Sequence, residues 1–398
     1  MKLLLFKRDG ICYNLVNDFS DMLADELNKL GWETAFFDIT PYGTGCPAPE
    51  VLNGIINRGF DAAFAINAVG QQDYSIDGLN IYEKMGIPFF HYIIDHPIEH
   101  QVSLRSELPN YYVLCIDPDH VEYVKKYFPN VKDAFFLPHG GFGSLDNFSE
   151  EEYMSREYDI MFSGSHYPLS NYENEIRQYP PAIQKLVITH IEYMTEHRDM
   201  KVEDGLKNVL SDMGITDLAP LDFRNYAIAT AMTYKYMKSY FREEIIRYIM
   251  ESDLPLHIFG SGWEELSGEG SGKTVLHQPV PFNRVNELFK KTRIALNVMP
   301  LFKSGSHERV PNAMLNGTAV LSDHSAYLDN ELGDLIGFYD LKEPWNVANT
   351  AFELMSDWHR VYLMTEKAYS YAKENLTWKS RAKDIASYIS ESLKTAGA

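Results

Sequence analysis

The chain is poor in cysteine and short of positive charge. Its 398 residues hold three cysteines, Cys12, Cys46 and Cys115, widely spaced, unable all to pair and forming no CxxC, so neither a disulfide framework nor a cysteine metal site is expected. A reducing cytoplasm suits such a chain. Lys and Arg number 36 against 56 Asp and Glu, and the formal charge of −20 repels nucleic acid and anionic membrane surfaces over most of the exterior. Any anionic ligand must therefore be held locally. No apolar run reaches the roughly 20 residues of a membrane span. The opening MKLLLFKRDG turns polar too soon for a signal peptide and reads as a first strand.

Several familiar signatures are also missing. No GxGxxG follows the first strand, which argues against a dinucleotide oxidoreductase. SGEGSGKT, Ser267 to Thr274, lacks the first glycine of a phosphate-binding P-loop and precedes a strand when it should lie between a strand and a helix. HERVP has Pro311 where a zinc-binding HExxH needs its second histidine. Asp117-Pro118-Asp119 spells DxD, but at a strand-to-helix junction, where capping explains it better than chelation. Neither a metal nor a cofactor is expected.

What is present points to packed α/β domains. Hydrophobic residues make up 45% and aromatics 13% of a chain long enough for two domains. Apolar runs at Lys2–Lys7, Glu33–Ile39, Ala62–Asn67, Pro88–Asp95, Tyr112–Asp117 and Asp133–Pro138 alternate with helical segments such as Asn17–Leu30 and His120–Phe128. The acidic stretch SLDNFSEEEYMSREY reads as a linker. A second set of strands follows at Asp159–Gly164, Leu256–Gly260, Thr274–Val280, Ile294–Met299, Thr318–Ser322 and Leu335–Tyr339. The expected fold is α/β, with two Rossmann-like doubly wound domains facing a cleft. Residues 1–150 form the first and 151–375 the second, with a helical insertion at about 168–250, and 376–398 form a C-terminal helix. The Tyr and Met stripe from Tyr226 to Met250 reads as core packing, with a homodimer or acceptor surface as the alternative.

Open sheets bind ligands beyond the carboxyl ends of their strands, which directs attention to the residues there. In the first domain these are Asp9, Gly10, Asn67, the pair Asp95 and His96, and His139. Asp95 and His96 are the acid–base candidates, since histidine titrates near neutrality and a buried aspartate can be tuned toward it. In the second domain they are Gly164, Ser165, Gly260, Gly262, Gln278, Pro279 and Val280. The stretch from Ser304 to Asp323 adds a glycine-bearing loop, then His307, Glu308 and Arg309, then a helix with Pro311 in its first turn and Gly317 at its end. That order suits a phosphate.

YDIMFSGS, LPLHIFGSGW, HQPV and above all SHERVPNAMLNGTAVLSD give most of the chain a resemblance to the two-domain GT-B glycosyltransferases, in particular the spore-maturation type with a group 1-like C-terminal domain. The resemblance implies a hexosyltransferase-type enzyme whose second domain holds a nucleotide-sugar donor. It implies the base near Gln278, Pro279 and Val280, ribose and phosphates on His307, Glu308 and Arg309, and Gly164 and Gly260 lining the pocket. Asn312 and Gly305 stand where related retaining enzymes carry two glutamates, and GSHYPLSN lacks their Arg/Lys pair. The expected reaction is metal-independent sugar transfer from a UDP-sugar to a glycan, protein or small-molecule acceptor on the first domain, with Asp95 or His96 activating its hydroxyl. An epimerase or phosphorylase would use the same cleft, and a two-lobed binding protein is the non-enzymatic alternative.

Overall fold

The computed structural model describes residues 1–43, 45–67, 69–70, 74–143, 145–266 and 272–396. Most of the SGEGSGKT segment lies outside the described residues. The chain divides into two compact units, one of Met1–Gly140, Pro281–Asn283 and Leu376–Ala398, the other of Gly141–Val280 and Arg284–Asn375.

In the first unit six strands form one parallel sheet: β1 (Lys2–Lys7), β2 (Glu33–Asp38), β3 (Ala62–Ile66), β4 (Phe89–Ile93), β5 (Tyr111–Cys115) and β6 (Asp133–Phe136), in spatial order β2-β1-β3-β4-β5-β6. Leu3, Leu4 and Leu5 are fully buried, as residues of a strand covered on both faces must be, so β1 reads as an unbroken apolar run. Helix α1 (Leu15–Lys29) follows β1, and α2 (Pro118–Tyr127) follows β5. The Asp117 side chain accepts from the Asp119 amide at 2.7 Å with Pro118 in the first turn, so the DxD carboxylate is a helix cap. A small antiparallel hairpin, Ser75–Ile76 with Leu79–Asn80, turns at Asp77 and Gly78, both with positive φ.

The second unit repeats the plan with β7 (Tyr158–Ser163), β8 (Leu256–Phe259), β9 (Thr274–His277), β10 (Thr292–Asn297), β11 (Ala319–Asp323) and β12 (Gly337–Tyr339), all parallel, in order β9-β8-β7-β10-β11-β12. Ile160 at the centre of β7 pairs with Leu256 on one side and Ile294 on the other. Strand order reverses between β7 and β10, the point where sheets of this kind hold ligands.

Five helices separate β7 from β8: α3 (Leu169–Ile176), α4 (Pro181–Glu196), α5 (Val202–Asp212), α6 (Pro220–Ala229) and α7 (Ala231–Glu251). Much of the Tyr and Met stripe is buried, with Tyr234, Met237, Phe241, Ile245 and Ile249 at most 1% exposed, which is the core role its spacing predicts. Helix α8 (Arg309–Leu315) joins β10 to β11, and every one of its side chains is buried. The last helix, α9 (Trp378–Ala396), returns to the first unit, where Trp378 packs on Phe19 and Tyr388 stacks on Phe135 with ring centroids 4.9 and 4.7 Å apart.

The acidic stretch before β7 is not a free linker. Ser149 and Glu152 form a capping box on a short helix, Glu150–Met154, and Tyr153 is fully buried with its hydroxyl on the Arg293 carbonyl at 2.8 Å. Among the described residues no helix is long and apolar enough to cross a membrane.

Candidate functional site

At the point of strand reversal in the second unit a buried arginine ties the sheet together. Arg309, at the start of α8, donates from Nε to the Ser163 carbonyl at the end of β7 and from Nη1 to Asn297 Oδ1 at the end of β10, 3.2 Å away. Asn297 is itself fixed by a bond from its Nδ2 to Ser322 Oγ at 2.9 Å. A second guanidinium faces the same aromatic ring: Arg309 lies 5.2 Å and Arg242, on α7, 5.8 Å from the centre of Phe162. Arg242 Nη1 donates to the Ser165 carbonyl at 2.7 Å, and its Nε is buried with no hydrogen-bond partner. Burial, then the charge of Arg309, pulls the Arg242 guanidinium down to about 10, and burial also lowers Arg309. Both remain cations at neutral pH. In a chain of net charge −20 this is a concentrated site of the opposite sign.

The loops beside the arginines allow main chain to meet main chain. A Cβ on Gly260 would stand 2.2 Å from the Gly164 carbonyl oxygen, and one on Gly262, whose φ is +84°, would stand 2.0 Å from the His166 carbonyl oxygen. Trp263 Nε1 donates to the Gly164 carbonyl at 2.8 Å, and the Ser261 and Ser165 hydroxyl oxygens are 3.1 Å apart. Gly164, Ser165, Gly260 and Gly262 are thereby gathered in one place beside Arg309.

His307 Nδ1 lies 3.3 Å from Arg309 Nη1 and pairs with Glu308; burial, then Arg309, lowers its pKa from the ordinary value, so the ring is neutral at pH 7. Gln278 is exposed and Pro279 and Val280 half-buried just past β9. Asn312, also a candidate donor contact from the sequence, has a structural task. One turn into α8 its Oδ1 accepts from the Phe142 amide at 2.8 Å, anchoring the chain that enters the second unit. Beneath the arginines, buried Asp323 accepts from the Met299 amide at 2.9 Å, and burial pushes its carboxyl up to about 6.

The first unit gathers Asn67 and Asp95. Asn67, at φ 51°, donates from Nδ2 to Asp95 Oδ2 at 3.1 Å and accepts from the Ile94 amide at 2.9 Å. His100 Nε2 stands 3.9 Å from that carboxylate. His96 Nδ1 accepts from the Ile98 amide at 3.1 Å and its 3%-exposed ring packs on His120 and Tyr123, so it caps a turn. His139 is 2% exposed and packed against Phe19 and Tyr92, a core position despite the glycines after it. Asp9 and Gly10 are exposed, with Asp9 accepting from Asn17 Nδ2 at 2.9 Å. Beyond them Cys12, Tyr13 and Asn14 take three consecutive positive φ angles, a conformation that costs roughly 1–2 kcal/mol per residue.

Sequence reasoning missed Arg242 and His100. The one signal for Arg242 was a cation directly after the aromatic pair Tyr240-Phe241 of the stripe read as core.

A family model described as glycosyl transferase-like matches residues 242–387. No curated protein matches the chain in sequence. Among solved structures it is similar to sucrose-phosphate synthase from Thermosynechococcus elongatus, at 10% identity and a TM-score of 0.55, over 98% of both chains. It is similar also to T4 phage BGT in complex with its UDP-glucose substrate, at 11% identity and TM-score 0.55 over 98% of this chain and 99% of that one. HepE of Anabaena in complex with UDP-glucose aligns at 12% identity and TM-score 0.53, over 98% of this chain and 100% of that one. Likeness at these identities establishes the fold, the two Rossmann-like units of GT-B proteins.

Proposed function

We propose that the protein is a glycosyltransferase that moves a sugar from a nucleotide diphosphate donor, a UDP-sugar, to an acceptor hydroxyl. The observation that carries this reading is the buried pair Arg309 and Arg242 at the strand reversal of the second sheet. Two guanidiniums held out of water can neutralise a diphosphate as it departs, and their alignment is fixed before the donor arrives. We assign the base to the segment Gln278–Val280, and the phosphates to Arg309, Arg242 and the Gly164–Ser165 loop. The UDP-glucose complexes of BGT and HepE, which share the fold, and the match from residue 242 onward support this reading. The motifs around His307 favour the spore-maturation type within GT-B enzymes.

Acceptor activation falls to Asp95 in the first unit. Asn67 donates to its carboxylate, which can take the hydroxyl proton as the sugar transfers. The arginines supply the positive charge, so the reaction proceeds without a divalent cation. The three cysteines, none of them in a disulfide, fit a reducing cytoplasm.

The test is incubation with UDP-glucose and related sugar nucleotides in EDTA, with and without candidate acceptors, following released nucleotide. Release that rises with an acceptor is the expected result. Isomerised donor without release would identify an epimerase, and donor binding without turnover of any kind a binding protein.

A further inference from the structure

Consecutive residues of α7 grip consecutive residues of the loop after β7. Arg242 holds the Ser165 carbonyl, and Glu243 Oε2 stands 3.0 Å from His166 Nε2. Glu243 is also paired with Arg247 at 2.8 Å, and the bond to His166, then burial opposed by Arg247, leaves its carboxyl below the usual range, so it remains an anion. The His166 ring lies 4.7 Å from the indole of Trp263 in a stacked arrangement. With one nitrogen directed at a carboxylate and one face on an indole, the ring has a fixed orientation. Its other nitrogen, Nδ1, is buried with no hydrogen-bond partner, and the residue is only 7% exposed. Arg242 Nε, on the helix that grips this loop, is in the same condition. Each such orphan carries a desolvation cost that no bond within the protein offsets. Two of them at one loop need an explanation, and an anionic ligand with several acceptor oxygens supplies it.

We propose that His166, oriented by Glu243, is an ionisable contact for the donor diphosphate, its imidazolium donating from Nδ1 to a phosphate oxygen while Nε2–H stays on Glu243. This rests on the donor reading above and adds to it a pH-dependent affinity. The charged groups around the ring are Arg242, Glu243 and Arg247, all on α7; the Gly260–Trp263 loop packed on its other side carries none. Histidine in such a role changes charge within the physiological range, and a charge-assisted bond to phosphate is lost as the proton leaves.

The experiment is calorimetric titration with UDP-glucose between about pH 5 and 8. Wild-type affinity falls roughly tenfold across that range, the loss of about one charge-assisted contact. In His166→Gln the amide nitrogen keeps the partner of Glu243 but nothing replaces Nδ1. That variant binds about tenfold more weakly at the acid end. In His166→Asn a neutral donor stands near the Nδ1 position, and affinity there is intermediate. Both variants lose most of the slope, while Asp323 and His307, titratable groups beside Arg309, are retained in both and their share is common to all three proteins. A Gln variant with wild-type affinity and slope overturns the proposal. Should the variants not fold, the His166 ring-proton resonance of the wild type decides: saturating UDP-glucose raises its titration midpoint, and an unmoved midpoint overturns the proposal. Binding without pH dependence sinks this inference alone, whereas no binding at any pH overturns the donor reading and this inference with it.

Discussion

Replacing Arg242 by methionine separates a functional guanidinium from a structural one, because the two roles predict different combinations of stability and donor affinity. The folded protein holds this group below its ordinary value, so the charged form is less favourable in the fold than in the unfolded chain, and the penalty is present throughout the neutral range. Nε has no partner, and Arg309 faces the same ring with like charge. Methionine keeps an unbranched stem against Phe162 and removes the charge; the Ser165 carbonyl loses one donor in exchange. Apolar replacement of buried charge is commonly neutral or stabilising by about 1–4 kcal/mol, and loss of one carbonyl partner offsets about 1–3 of that. The two terms nearly cancel, so the free Arg242→Met protein should melt within about 4 °C of the wild-type temperature. Affinity for UDP-glucose should fall by about 10- to 100-fold, since a charge-assisted phosphate contact is worth about 1.5–3 kcal/mol. Differential scanning fluorimetry and isothermal titration calorimetry on one preparation measure both. A lower melting temperature with unchanged affinity would refute the reasoning and make Arg242 a structural clamp on the loop after β7.

Asp95→Asn retains a partner for Asn67 but removes the proton acceptor, so kcat should fall by at least about a hundredfold with donor KM unchanged; steady-state release of UDP reads both, and an unaltered kcat would remove Asp95 from the chemistry. Burial raises the Asp323 carboxyl from 3.8 to about 6. The folded state therefore binds this proton more tightly than the unfolded one, and the stability it contributes is complete below about pH 4 and lost as pH rises through 6. Asp323→Asn can still accept from the Met299 amide, so its melting temperature relative to wild type should climb between about pH 4 and 8 by the equivalent of roughly 2–3 kcal/mol. A difference that stays flat with pH would show that Asp323 is not held protonated.

The two sheets were legible because parallel strands covered on both faces leave a simple trace. Leu3 to Leu5 and Ile160 to Phe162 are unbroken apolar runs ended by polar or glycine turns, and burial on both sides is what produces such runs. Their ends agree with the sequence reading to within one or two residues for most strands, Lys2–Lys7 being identical. The hairpin around Asp77 and Gly78 escaped because strands of two residues carry no periodicity, although Asp-Gly is a strong turn signal. The stretch before β7 looked like a linker because its acidic residues dominate the composition. Its structural content lies in Phe148, Tyr153 and Arg156, whose guanidinium donates from Nη1 to the Thr292 carbonyl at 2.7 Å, a partner 136 residues away.

The site divides along the same line, between what neighbours in the chain can announce and what only folding brings together. Arg309 could be read because the loop, the adjacent ionisable residues and the helix start lie within a dozen residues of it. Arg242 could not, since the group it serves, Ser165, is 77 residues away and its helix has the composition of a core element. The same limit explains the acid–base pair. In HYIIDHPIEH the histidine next to Asp95 is the obvious partner, but Pro97 sets a turn that requires a cap, and His96 supplies it. One turn further on, the chain has come round far enough for His100 to stand beside the carboxylate. The turn thus gives His96 a capping contact and brings His100 to 3.9 Å from the carboxylate, a proximity that nearness in sequence does not announce. The insertion shows the larger form of this effect. Read as packing, α7 does pack, yet Arg242 and Glu243 on it set the charge and orientation of the loop after β7, so an element set apart by chain order completes the anion site of the sheet that precedes it.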